Sequence, residues 1–78
     1  MARLRNKRSL TIARHRTSIT LEDGFWDALG AIARADGKSV AALVGEIDRR
    51  RSAESHAGLN LSASIRLYVL ERTKRERI

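Results

Sequence analysis

From Arg16 to Leu21 residue types alternate with a period of two, the spacing of a strand. On such a strand Thr17, Ile19 and Leu21 share one face, and Arg16, Ser18 and Thr20 share the other. The first face suits a core and the second carries a guanidinium and two hydroxyls. A half-buried edge strand with a solvated polar face would alternate in the same way, so the stretch takes its meaning from the residues on either side of it. Ser9 to Ala13 alternates again, with Leu10 and Ile12 against Ser9, Thr11 and Ala13. It can form a second strand, but a hairpin to the first needs a turn at Arg14-His15, which has neither Gly nor Asn.

After Leu21 the pattern changes to a helical one. Glu22-Asp23-Gly24 places acids where a helix N-terminus favours them, and Phe25, Trp26, Leu29, Ile32 and Ala33 recur at helical spacing up to Asp36-Gly37, where Gly can close the helix. Phe25 and Trp26 read as core aromatics more readily than as a base-stacking platform. Ser39 is a ready N-cap for a second helix, whose Val40, Leu43, Val44 and Ile47 keep the i, i+3, i+4, i+7 pattern. Arg49, Arg50 and Arg51 at its end complement the helix dipole, or reach a phosphate. Residues 52 to 60 read as a loop. Asn60 or Ser62 then caps a third helix containing Leu61, Ala63, Ile65, Leu67, Tyr68, Val69 and Leu70, a set too wide for one stripe, which is expected to fray through Glu71 to Arg77.

With 78 residues and no cysteine, the chain has a thin core for one copy and no disulfide to support it. Its histidines, His15 and His56, have no metal-ligand pattern around them, so no cofactor or metal is expected. Oligomerisation is the remaining support. No apolar run is long enough to span a membrane, and the basic N-terminus lacks the uninterrupted apolar segment of a secretory signal, so a cytoplasmic location is expected. The net charge of +7 is uneven: residues 1–20 carry +6, residues 21–48 carry −4 and residues 49–78 carry +5. Positive charge at the strand and tail fits a polyanion partner, although a solubilising basic arm over residues 1 to 8 would look the same.

One strand followed by two helices would leave two unpaired strand edges, which a second copy would cover. The run Arg16-Thr17-Ser18-Ile19-Thr20-Leu21-Glu22, the Trp26-Asp27-Ala28-Leu29 helix, the Asp36-Gly37-Lys38-Ser39 turn and the Ala42-Leu43-Val44 helix resemble the ribbon-helix-helix fold of the Arc and methionine-repressor superfamily. Lys7-Arg8-Ser9, His15 to Ile19, Phe25-Trp26, Glu46-Ile47-Asp48, Asn60 to Ala63 and Ile65-Arg66 resemble the small bacterial members that carry a C-terminal extension. The resemblance implies a mainly α fold with one short strand per chain, an intertwined homodimer with an intersubunit antiparallel ribbon, and a third helix. It divides the chain into a basic arm (1–14, with its possible extra strand), a ribbon-helix-helix domain (15–51) and a loop with the C-terminal helix (52–78).

That likeness implies sequence-specific binding of double-stranded DNA through the major groove, as a nucleoid-associated transcriptional repressor. Arg16, Ser18 and Thr20 would contact bases, since Arg pairs with guanine O6 and N7 and hydroxyls serve several bases. Lys38, Ser39 and Val40 would hold a phosphate at a helix N-terminus, with Arg14, Arg8 and Lys7 adding backbone contacts. Ile19, Leu21, Leu29, Leu43, Val44 and Ile47 would form the dimer core. An enzyme is poorly supported, because the chain has no nucleophile–base set, no phosphate loop and no room for a walled pocket. The competing reading is an antitoxin-like or adaptor protein whose Leu61–Leu70 helix binds a partner protein.

Overall fold

The structure, a computed structural model, describes residues 5–12, 14–53 and 60–76. Strands β1 (Arg5–Ile12) and β2 (His15–Glu22) precede helices α1 (Asp23–Ala35), α2 (Val40–Ala53) and α3 (Leu61–Glu76). β2 has the expected faces: Ile19 and Leu21 are buried, and Arg16, Ser18 and Thr20 are in solvent.

The strand paired with β2 belongs to the same chain. β1 runs antiparallel to it, with Ile12 opposite His15, Ser9 opposite Ser18 and Arg5 opposite Glu22. One expectation is corrected here: each chain has two strands instead of one, the possible strand over Ser9 to Ala13 being part of β1. The physical reasons are local. Arg14 adopts φ 69°, the left-handed conformation that a tight antiparallel reversal requires, although neither Gly nor Asn marks the turn. On the inner face of β1, Ile12 is buried and Leu10 half-buried, so the strand adds apolar surface to the core.

Residues 5–8, expected in an unpatterned arm, extend β1 because their polar groups find partners on α1. The Asn6 amide donates to the Asp23 carboxylate, and the Trp26 indole N–H donates to the Asn6 carbonyl at 3.0 Å. On β2, at the same end of the ribbon, the Ser62 hydroxyl donates to the Thr20 carbonyl at 3.1 Å, and Arg66 pairs with Glu22 at 2.9 Å. A two-stranded ribbon is marginal alone in water, and these helix contacts fasten both strands.

The helix termini lie at the residues that signalled them. α1 ends in a Schellman arrangement, with the Lys38 N–H on the Ala33 carbonyl at 3.0 Å, the Gly37 N–H on the Arg34 carbonyl at 3.1 Å, and Gly37 at φ 69°. Ser39 caps α2, accepting from the Ala42 N–H at 3.1 Å. Asn60 caps α3, accepting from the Ala63 N–H at 2.8 Å, which leaves Ser62 free to reach β2. Most of the loop expected over 52 to 60 lies outside the described residues, and α2 continues through Ala53.

Ile19, Leu21, Leu29, Leu43, Val44 and Ile47, expected as a core shared by two chains, are buried within one, together with Trp26, Ile65 and Val69. β1 adds Ile12 to this cluster, and α3 packs on α2, α1 and β2. Burying each large aliphatic side chain contributes roughly 1.5–3 kcal/mol. Phe25, expected in the core, is half-buried beneath the Arg66 guanidinium, 5.9 Å from its ring centroid. The charged end of α3, expected to fray, stays helical to Glu76, and Arg72 is tied to Asp36 beyond the end of α1 at 2.7 Å.

Candidate nucleic-acid interface

In an antiparallel pair directly opposed residues point to the same face, so the register of the hairpin defines its outer surface. Thr11 lies opposite Arg16, Ser9 opposite Ser18 and Lys7 opposite Thr20, and all six are exposed. None of the six side chains forms a hydrogen bond or ion pair with another described residue. The face thus presents one guanidinium, one ammonium and four hydroxyls to solvent on a backbone held from behind by the core. Arg14 stands exposed at the turn.

Arg8 does not join this face. It lies opposite Ile19 on the inner side, with its guanidinium 4.7 Å from the centroid of the Trp26 ring. Lys38, at the turn before α2, is partly buried and bonded to Glu46 at 2.5 Å. Its neighbours Ser39 and Val40 open α2 as expected. The Ser39 hydroxyl and carbonyl engage the N–H groups of Ala42 and Leu43, leaving those of Val40 and Ala41 at the helix mouth.

A second charged cluster was not anticipated from the sequence. Asp36, Lys38, Glu46, Arg50, Tyr68, Arg72 and Arg75 line an open polar cleft between the α1–α2 turn and α3. The hydrogen bond from Arg72 holds the Asp36 carboxyl below its ordinary range, and the hydrogen bond from Lys38 does the same for Glu46. Arg50 lies over the Tyr68 ring at 5.8 Å, and Arg51 pairs with Asp48 at 2.7 Å, so two of the arginines closing α2 have local partners. On the opposite side of α3, Phe25, Ala63, Leu67 and Leu70 contribute to an apolar groove of about 580 Å³. Among the described residues no three His, Cys, Asp or Glu side chains come together as a metal site requires, and no helix is long and apolar enough to cross a membrane.

Sequence reasoning placed Arg16, Ser18 and Thr20 on the outer face and named Lys7 for phosphate contact; it grouped Ser9 and Thr11 on one face of a possible strand without joining them to this surface. The alternation of Leu10 and Ile12 was the available signal. It breaks at Arg8 and Asn6, which occupy inner positions without being apolar.

A model of the ribbon-helix-helix domain matches residues 5–73, from the first residue of β1 into α3. No curated protein and no solved structure matches the chain. The match covers most of the chain and agrees with the order of a two-stranded ribbon followed by helices. The chain therefore belongs to the ribbon-helix-helix domain family, whose members typically bind DNA.

Proposed function

We propose that this protein is a sequence-specific double-stranded DNA-binding regulator, a transcriptional repressor of the nucleoid that lays its ribbon in the major groove. The observation that carries the reading is the outer face of the hairpin, where exposed cationic and hydroxyl side chains stand without partners among the described residues on a braced backbone. A major groove about 12 Å wide admits a two-stranded ribbon, and these side-chain types match base-edge donors and acceptors. Arg16, Ser18 and Thr20 contact bases. Lys7 and Arg14 contact phosphates, as does the start of α2 at Ser39 and Val40, with Lys38 close by. Arg8 supports the ribbon from behind.

The protein works as a homodimer in this reading, since the family generally forms dimers.

A second reading, an antitoxin-like or adaptor protein that engages a partner protein, draws on α3. Leu67 and Leu70 are 46% and 54% exposed beside the apolar groove. Gel shifts on random and selected DNA separate the two. The regulator reading expects binding at low salt, loss of sequence preference in Arg16→Ala, and retained preference in Leu67→Glu/Leu70→Glu. Absence of binding at low salt, or unchanged preference in Arg16→Ala, overturns it.

A further inference from the structure

The open cleft between the α1–α2 turn and α3 has a volume of about 430 Å³ and is lined by four cations and two acids. Both acids already have a cation. Arg72 donates to the two Asp36 carboxylate oxygens at 2.9 and 2.7 Å, and Lys38 donates to Glu46 at 2.5 Å. Arg50 and Arg75 form no hydrogen bond or ion pair with another described residue, so the cleft keeps a surplus of two positive charges.

The donors that remain are held in place without being used. Arg50 stacks over the Tyr68 ring, 5.8 Å from its centroid, and stacking occupies the face of a guanidinium while its N–H groups point outward from the edge. The Tyr68 hydroxyl accepts from Arg72 at 3.3 Å, which leaves its own proton to donate. Tyr68, Arg72 and Arg75 recur at i, i+4 and i+7 and so share one face of α3. Arg50 and Arg75 lie in the last turns of α2 and α3, where they also complement the helix dipoles, but that attraction consumes none of their N–H groups.

We infer that this cleft binds the terminal phosphoryl group of a small phosphorylated molecule, gripped by the guanidiniums of Arg50 and Arg75 from two helices and by the Tyr68 hydroxyl. A phosphate monoester carries a charge of about −1.5 to −2 at neutral pH and three strong acceptor oxygens, which matches the surplus charge and the three donor groups. A carboxylate has a single charge and two oxygens in one plane, and a phosphate of a nucleic-acid backbone also has a single charge, so each satisfies less of this set. Arginine suits the task because its planar fork can hold two phosphate oxygens at once. Binding here is independent of whether the ribbon meets DNA.

Titration of the full chain with inorganic pyrophosphate at about 0.15 M salt, followed by the amide and arginine side-chain signals in NMR, tests the site. Wild type is expected to show saturable shifts centred on Arg50, Tyr68 and Arg75. Arg50→Gln/Arg75→Gln should raise the dissociation constant about tenfold or more, and Tyr68→Phe, which keeps the ring beneath Arg50, about fivefold. Arg49→Gln/Lys74→Gln removes the same charge from exposed neighbours outside the cleft and should change it less than about twofold, because exposed charges are screened at this salt. The amide spectrum of each variant reports whether it is folded.

Equal weakening in the two double variants, or shifts spread over all exposed Arg and Lys, shows general attraction to a basic surface and overturns the inference. Absence of saturation does the same. A short random DNA duplex is titrated in parallel: cleft signals that answer to the duplex and not to pyrophosphate assign the cleft to a backbone phosphate, which also overturns it.

Discussion

The guanidinium of Arg8 lies 4.7 Å from the centroid of the Trp26 ring, and the same indole donates its N–H to the carbonyl of Asn6 at 3.0 Å. One side chain of α1 therefore holds β1 at two positions where the sequence supplies polar residues. This bracing adds to the β1–β2 ladder in fixing the outer face of β1.

Trp26→Phe keeps an aromatic core residue but removes the N–H donor and weakens the cation–π contact. The expected loss is about 1–2 kcal/mol, from a hydrogen bond to a carbonyl and a partly exposed cation–π pair. Urea denaturation measures the total, and hydrogen exchange should show β1 losing more protection than α2. Equal loss in both elements would contradict the bracing role.

Arg14→Gly relieves the left-handed conformation at the turn, where φ is 69°. The steric relief, about 1–2 kcal/mol, is partly offset by the greater freedom of Gly in the unfolded chain, leaving a small net gain in stability. Affinity for DNA should fall at the same time, because the proposed phosphate contact of Arg14 is lost. A variant with a lower melting temperature would show that the turn gains nothing from Gly.

Lys7→Ala and Arg14→Ala are expected to weaken all DNA sequences alike and to reduce the slope of log affinity against log salt by about 0.9 each. Arg16→Ala should also change which sequences are preferred, with about 1–3 kcal/mol of discrimination lost at one base pair. Binding isotherms at several salt concentrations measure both quantities. A sequence-dependent loss in Lys7→Ala would move that residue from the phosphates to the bases.

Asp36 and Glu46 titrate below their ordinary values in the folded chain because Arg72 and Lys38 donate hydrogen bonds to the ionised carboxyls. Their stabilising contribution is therefore complete above the unfolded carboxylate range of about 4 and is lost as pH falls through the lower folded values. Asp36→Asn/Glu46→Gln should be slightly less stable at neutral pH, and its stability should fall less steeply in acid. Parallel acid limbs for variant and parent would show that neither pair contributes.

Ser64 has a buried hydroxyl without a hydrogen-bond partner among the described residues. Ser64→Ala removes that cost and improves helix propensity, so a gain of about 1 kcal/mol is expected in denaturant titration. A loss would reveal a partner for the hydroxyl.

Much of the architecture was legible along the chain because it depends on local periodicity and capping. The alternation at Thr17 to Leu21 fixed which face of β2 is buried. Gly37 and Ser39 marked the boundary between α1 and α2, and the spacing of Leu43, Val44 and Ile47 marked the buried stripe of α2. Tertiary structure decided the identity of the strand beside β2. Asn6 and Arg8 have no apolar side chain to declare an inner face, and Arg14 carries no turn signature, so β1 is specified by contacts that span the sequence: Asn6 with Asp23 and Trp26, and Arg8 with Trp26. Such contacts form only once α1 has packed, and a linear pattern does not encode them.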